Sequence, residues 1–262
     1  MVDSKYVEAI ESSILHGTFE DNSRELQLAL HHLERSDTPD DECQKLVKGL
    51  EKGIPIPYII GYTLVCGLKI LINRDVLNPG PETITLIKAV MGYASKRGSI
   101  DILDLCTGSG AIAVLLAKSY GAKVTAIDIS EKALALAKEN AAENGVDITF
   151  LRGDLFEPVR GMAFDVIVVN PPYVKSGSIE FLPKFVRDFA PTIAIDGGKD
   201  GLFFHKAILA EAKNHLNRNG SLFIECEDDQ SEDVEKIAAE FSWTAMQRFH
   251  NRHGQVRGFQ FV

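Results

Sequence analysis

Ile100-Asp101-Ile102-Leu103-Asp104-Leu105, followed at once by Cys106-Thr107-Gly108-Ser109-Gly110 and the apolar stretch from Ala111 to Lys118, reads as a strand, a glycine turn and a helix. That order opens a βαβ unit, in which the glycines let the backbone approach a ligand closely. A second strand, Lys123-Val124-Thr125-Ala126-Ile127, ends in Asp128, 20 residues after Gly108. This is the separation expected of an acid that accepts hydrogens from ribose hydroxyls. A third strand around Ile148-Thr149-Phe150-Leu151 leads to Gly153-Asp154, another acid at a carboxyl edge. Each of these aspartates, taken singly, also reads as a helix N-cap, common for Asp after a strand.

The next apolar run, Val166-Ile167-Val168-Val169, is short, β-branched and closed by prolines that cannot continue a ladder, so it reads as a buried strand. It delivers Asn170-Pro171-Pro172-Tyr173 to the carboxyl edge of a sheet, where α/β proteins bind ligands. A carboxamide carries an acceptor oxygen and two donor hydrogens, enough to hold an –NH2 group. The prolines stiffen the backbone and Tyr173 offers a flat face, so the four residues look like a clamp for a planar nitrogen group. A strand-ending turn with a buried tyrosine explains them equally well, and the neighbours decide. Gly110 is followed by Ala-Ile-Ala, which leaves the dinucleotide pattern G-x-G-x-x-G incomplete. Asp104-x-x-x-Gly108-x-Gly110 instead resembles the S-adenosylmethionine site of class I methyltransferases, which bind no pyrophosphate. Asp128 and Asp154, in order between this turn and N-P-P-Y, favour that reading.

Composition sets the bounds. The chain has 262 residues, room for one large domain or two, and its 45% hydrophobic content is that of a globular protein. A net charge of −9 leaves no broad basic field for a nucleic-acid backbone. Residues 1–11 lack the basic start and apolar core of a signal peptide, and no apolar run approaches the roughly 18 residues of a membrane span. Cys43, Cys66, Cys106 and Cys226 are scattered, which argues against a zinc site and fits a reducing, cytoplasmic setting. The adjacent His31 and His32 point to different sides of a helix, as on a solvated face, and no metal is expected.

Periodicity divides the chain. Three helical stripes occupy residues 4–52: Val7, Ile10 and Ile14; Leu26, Leu30 and Leu33; Cys43, Leu46, Val47 and Leu50. Gly17 closes the first, and Ser36-Asp37-Thr38-Pro39-Asp40 supplies helix-start chemistry for the third. Gly53-Ile54-Pro55-Ile56-Pro57-Tyr58 then breaks the period, and Leu64 to Leu71 pairs with Asn73 to Leu77 as an expected hairpin. From about residue 80, strands alternate with helices, implying a largely parallel sheet. Near the end, Ser221 to Glu225 reads as a core strand, the acidic run Glu225 to Asp229 as a cap of the next helix, and Gln255 to Val262 as a last strand. His205, His215, His250 and His253 read as surface or capping residues.

Five pieces in order resemble the HemK/PrmC protein-glutamine N5-methyltransferases: Pro55-Ile56-Pro57-Tyr58-Ile59-Ile60-Gly61; Asp104 to Ala113; Gly153-Asp154-Leu155-Phe156; Asn170-Pro171-Pro172-Tyr173; and Gly197-Gly198-Lys199-Asp200-Gly201-Leu202. The resemblance implies an α/β, Rossmann-like fold with a seven-stranded, mostly parallel sheet. It divides the chain into a helical bundle over 1–53, a hairpin linker over 54–79 and a methyltransferase domain over 80–262. It implies S-adenosylmethionine as cofactor, held by Asp104, Cys106, Thr107, Gly108, Gly110, Asp128, Ile129, Asp154, Leu155 and Asn170. Asp128 holds the ribose, Asp154 the adenine amino group and the backbone around Gly108 the methionyl part. Asn170, Pro171, Pro172 and Tyr173 bind the acceptor; the Asn170 oxygen and Pro171 carbonyl take the amide hydrogens, while Tyr173 packs on the amide plane. The implied acceptor is glutamine in the Gly-Gly-Gln segment of a peptide-chain release factor.

Three positions depart from the family's pattern. Gly80 and Ile84 stand where an arginine and a glutamate are usual, and Ala190 stands where Tyr-Glu-Pro usually follows N-P-P-Y. Two other readings follow from them. One is an N-methyltransferase of a small molecule with a rebuilt substrate wall; the other is a non-catalytic module that keeps the cofactor site, against which intact Asn170 and Asp128 argue. Adenine N6 is also a planar –NH2, but the acidic charge and lack of a recognition domain disfavour a nucleic-acid acceptor.

Overall fold

The computed structural model describes residues 3–15, 22–243 and 246–262; Gly17 lies outside them. Helices α1 (Ser4–Leu15), α2 (Asn22–Glu34) and α3 (Pro39–Glu51) pack with the short α4 (Ile56–Ile60) around a core of their own. Ile10, Ile14, Leu46 and Leu50 are buried in it, as their spacing predicts. In α2 the buried positions are Leu28, Ala29 and Leu33, with Leu26 and Leu30 only half-buried. The helix is therefore rotated from the expected stripe, because its other side meets α4 and the linker. There Glu25 Oε2 accepts the Ile56 N–H at 2.9 Å. His31 stays near the surface beside Arg35, whereas His32 turns inward, 3.0 Å from Glu42 Oε2 and 3.3 Å from Tyr62 Oη.

The hairpin is tighter than the sequence predicts. Strand β1 (Tyr62–Val65) pairs with β2 (Leu68–Leu71) across the two-residue turn Cys66-Gly67, both at positive φ (+48° and +84°). A primed turn of this kind matches the twist of the strands. Residues 73–77 form a turn and loop, so the expected second strand is absent. Pro81 opens α5 (Pro81–Ala94) behind the extended Gly80.

An alternating series follows: β3 (Asp101–Leu105), α6 (Ala111–Tyr120), β4 (Lys123–Asp128), α7 (Glu131–Asn144), β5 (Ile148–Arg152) and β6 (Phe164–Val169). After these come α8 (Lys184–Arg187), α9 (Phe203–Glu211), β7 (Leu216–Glu225), α10 (Ser231–Glu240), β8 (Met246–His250) and β9 (Val256–Phe261). The sheet has the order β5-β4-β3-β6-β7-β9-β8, parallel through β7, with β9 antiparallel to both its neighbours. Both faces are covered. Ile102, Val166, Val168 and Phe223 sit in a core with α5, α6 and α7. Leu103, Leu105, Ile167, Val169 and Ile224 face α9 and α10. That two-sided burial is why these strands are apolar at nearly every position. Chain order reverses between β3 and β6, so a crevice opens at their carboxyl ends, the place where such sheets bind ligands. Among the described residues, no helix is long and apolar enough to cross a membrane.

Two histidines expected at the surface are buried. His205, fully enclosed, donates Nε2–H to the Glu225 carbonyl at 2.9 Å. Burial draws its pKa down to about 4, against the backbone hydrogen bonds that oppose the shift. His215 stacks on Phe156 with centroids 4.7 Å apart, and its Nδ1 lies 3.0 Å from the Met162 carbonyl. In the acidic run, Glu227 and Gln230 form a capping box on the turn that leads into α10, and Asp228 Oδ1 accepts the Val256 N–H at 2.7 Å. Glu225 caps nothing; it turns into the crevice.

Candidate active site

Two cavities open at the carboxyl edge and share a wall. The first, about 250 Å³, lies over the loops that follow β3, β4 and β5. Cys106, Thr107, Gly108, Asp128, Ile129, Asp154, Leu155, Asn170 and Pro172 all line it. The second, about 340 Å³, is bounded by Asn170, Pro171 and Tyr173, by Gly80, Glu82 and Thr83 at the start of α5, and by Arg24 and Glu25 of α2. Leu77, Thr83, Asn170 and Ala194 belong to both linings.

Backbone geometry builds the first cavity. Gly108 (φ +55°) and Gly110 (φ +78°) take left-handed conformations, and a Cβ on Gly110 would stand 3.0 Å from that of Ala137. Cys106 (φ +55°) and Leu155 (φ +44°) share that conformation without being glycines. Strain of this kind persists only where the surroundings over-determine it, and it clusters at ligand sites. Asp128 Oδ2 accepts the Gly108 N–H at 2.8 Å and Oδ1 the Ser130 N–H at 2.9 Å. Burial pushes its pKa up while those backbone bonds pull it down. Each carboxylate oxygen keeps lone pairs for further hydroxyl donors. Asp154 is exposed, and the apolar Ile112, Ile129, Leu155 and Phe204 line the same cavity. A glycine cradle, two carboxylates and an apolar lining fit an adenosyl group with an amino-acid tail.

Asp104 and Gly110 are placed differently from their neighbours, beneath the loop rather than on the cavity wall. Asp104 is fully buried and accepts the Thr107 hydroxyl at 2.5 Å, so it supports the turn from below. Burial raises its pKa to about 7, with the Thr107 bond opposing. On the shared wall, Asn170 Nδ2 donates to Thr83 Oγ1 at 3.1 Å. This orients the carboxamide with Oδ1 as its acceptor. Tyr173 Oη donates to Glu225 Oε1 at 3.2 Å.

Residues 88–198 match the family model described as Methyltransferase small domain. The release factor glutamine methyltransferase of Geobacter sulfurreducens is 38% identical over 193 residues, covering 73% of this chain and 67% of that one. Its counterpart from Thermodesulfovibrio yellowstonii is 37% identical over 218 residues, covering 81% and 78%. The chain belongs to the release factor glutamine methyltransferase family. Among solved structures, the Thermus thermophilus 16S rRNA N2 G1207 methyltransferase in complex with AdoMet and guanosine has a TM-score of 0.57. At 18% identity, over 76% of this chain and 49% of that one, the likeness is one of fold alone.

In this member of the family, one of the three departures touches the site. Gly80 lines the larger cavity. Ile84 packs against the sheet core, and Ala190 is buried outside the cavity lining. The departures therefore change one position of the cavity wall rather than three. Sequence reasoning also missed Thr83, Glu225 and Asn140. Asn140 is fully buried, accepts the Leu71 N–H at 2.6 Å, and donates to the Leu71 carbonyl at 3.1 Å and the Ser109 carbonyl at 2.8 Å. It ties the hairpin to the glycine loop, and its only trace in the sequence is a polar residue on the apolar side of a helix.

Proposed function

We propose that this chain transfers the methyl group of S-adenosylmethionine to the side-chain amide nitrogen of glutamine in the Gly-Gly-Gln segment of a peptide-chain release factor. One observation carries the reading: Asn170 lines both a cavity that fits the cofactor and a second cavity whose lining includes Arg24 and Glu25 of α2. A group held from each side meets its partner at that residue. The family's relatives, named for this activity, support the same acceptor.

The amide nitrogen is a poor nucleophile because its lone pair is delocalised into the carbonyl. The cofactor supplies a methyl group already activated on a sulfonium, so the chain's task is alignment and electrostatics. Asn170 Oδ1 and the Pro171 carbonyl accept the two amide hydrogens, which raises electron density on nitrogen and aims its lone pair into the neighbouring cavity. Tyr173 packs on the amide plane and Pro172 stiffens the turn that carries both. As the nitrogen gains its methyl group it becomes acidic and releases a proton readily, so no strong base acts beforehand. On the other side, Asp128 holds the ribose hydroxyls and Asp154 the adenine amino group. The backbone around Gly108 takes the methionyl part, with Cys106, Thr107, Ile129 and Leu155 completing the wall and Asp104 and Gly110 shaping it from beneath.

The test is methyl transfer from labelled S-adenosylmethionine to purified release factors, with Asn170→Ala as control. Label on the Gly-Gly-Gln glutamine, lost in the variant, is the expected result. No label in a chain that still binds the cofactor would transfer the reading to another nitrogen acceptor.

A further inference from the structure

The larger cavity has a charged floor that methyl transfer as described above does not use. Glu225, the last residue of β7, lines that cavity and is 1% exposed. Its Oε1 accepts the Tyr173 hydroxyl, and its Oε2 is buried with no hydrogen-bond partner among the described residues. Glu82, Glu225 and Glu227 line this cavity together with the Arg257 guanidinium. Arg257 pairs with Glu227, and its Nε lies 3.6 Å from Glu82 Oε1. With Arg257 engaged by Glu82 and Glu227, the most deeply buried carboxyl is the one that gives up its charge. An isolated carboxylate in a dry site takes a proton rather than remain uncompensated. Burial first, and Glu82 next, push the Glu225 pKa up to about 8, with the Tyr173 bond opposing. Since Oε1 receives the Tyr173 hydrogen, the acid hydrogen sits on Oε2.

We propose that Glu225 is a neutral carboxylic acid that donates its Oε2 hydrogen to a main-chain carbonyl of the acceptor peptide, and is thereby a substrate-binding residue. The proposal rests on reading this cavity as the acceptor's. A buried O–H without a partner calls for an acceptor atom, and a peptide brings a carbonyl oxygen at every residue. The carbonyl of the methylated side chain is the wrong one, since a donor there would draw the nitrogen lone pair further into the amide. The main-chain carbonyl beside that side chain has no such drawback. Glu225 is fixed for this role from behind, because His205 holds its backbone carbonyl.

The groups that face Glu225 are Tyr173 after β6, Glu82 on α5, Glu227 after β7 and Arg257 on β9, while Arg24 and Glu25 of α2 line the same cavity. Burial holds the Tyr173 pKa well above its usual 10, so that hydroxyl keeps its hydrogen through neutral and mildly alkaline pH. The test is the KM of a synthetic Gly-Gly-Gln peptide between pH 6.5 and 9 for the wild-type chain, E225Q and E225L. E225L is expected to raise the peptide KM about three- to tenfold at pH 7, the loss of one neutral hydrogen bond, with the cofactor KM unmoved. E225Q keeps an N–H donor at every pH and is expected to recover most of that loss. The wild-type peptide KM is expected to climb as pH rises through about 8, and that of E225Q to stay level. E225Q failing as E225L does, or an alkaline rise that survives in E225Q, would overturn the proposal. An infrared band of a protonated carboxyl at pH 7, lost in E225Q, checks the neutral acid without any substrate, and its absence would also overturn it. A wild-type chain inactive on the peptide would sink the release-factor reading and the peptide carbonyl with it. The band tells that failure apart from a failure of the acid itself.

Discussion

Asn170 and Thr83 are 87 positions apart, yet the Asn170 Nδ2 donates to the Thr83 hydroxyl at 3.1 Å. The bond joins the end of β6 to the first turn of α5 and decides which way the carboxamide faces. Thr83→Val keeps the shape and removes the bond. We expect kcat to fall about three- to tenfold, with the cofactor Kd unchanged by calorimetry. A wild-type kcat in Thr83→Val would show that the carboxamide is oriented by something else.

Asn170→Ala removes the acceptor oxygen itself. Misplacing a reacting group costs about a hundredfold or more in rate, so single-turnover transfer is expected to fall by at least that factor. Cofactor affinity should change far less, and equal losses of both would contradict the assignment of Asn170 to the acceptor.

Asp128→Ala removes the carboxylate that accepts from Gly108 and Ser130. Cofactor binding is expected to weaken by about 1–3 kcal/mol. Asp128→Asn keeps one acceptor oxygen and should lose less. An unchanged Kd in Asp128→Ala rules out the ribose role.

Asn140→Leu fills the same space but strands the Leu71 N–H, the Leu71 carbonyl and the Ser109 carbonyl. A buried group left unpaired costs about 1–3 kcal/mol. We expect a loss in that range in denaturant unfolding, together with weaker cofactor binding because the glycine loop loses its tie. Loss of stability with intact binding would confine Asn140 to the fold.

His205 is held neutral, its folded pKa lowered to about 4 from an ordinary 6.5. The unfolded chain takes up that proton more readily, so the stability His205 contributes is present above pH 6.5 and is lost as pH falls towards 4. His205→Gln keeps a donor for the Glu225 carbonyl without titrating. The fall in melting temperature between pH 6.5 and 4 should therefore be shallower in the variant. Glu225 acts with the opposite sign. Its folded pKa is raised from 4.5 to about 8, so its contribution is present below pH 4.5 and lost as pH rises to 8.

What the chain shows in one dimension is what local chemistry carries. The strands β3, β4 and β6 were legible because burial on both faces requires apolar residues in short unbroken runs, and the glycine turn because few other residues take its backbone angles. N-P-P-Y was legible because prolines end a ladder at a defined edge. The Cys66-Gly67 turn has no strong signature in the sequence, because cysteine is an uncommon partner for glycine there, and the expected hairpin therefore lies one strand too far along. His205 and His215 were misplaced for a different reason: a histidine is buried only when a distant backbone carbonyl or ring receives it, and spacing along the chain does not reveal that partner.

The α/β class, a largely parallel sheet and the residues delivered to its carboxyl edge can be read from the chain alone, since each follows from periodicity and from backbone angles set within a few residues. Three-dimensional packing is what makes Asp104 support the glycine loop from beneath, Asn140 stitch it to the hairpin, Thr83 turn the Asn170 carboxamide and Glu225 line the second cavity. The role of Asp104 depends on desolvation, and the other three on partners tens of residues away. The free energy of a buried polar group is set by what surrounds it in space, not by its neighbours in the chain.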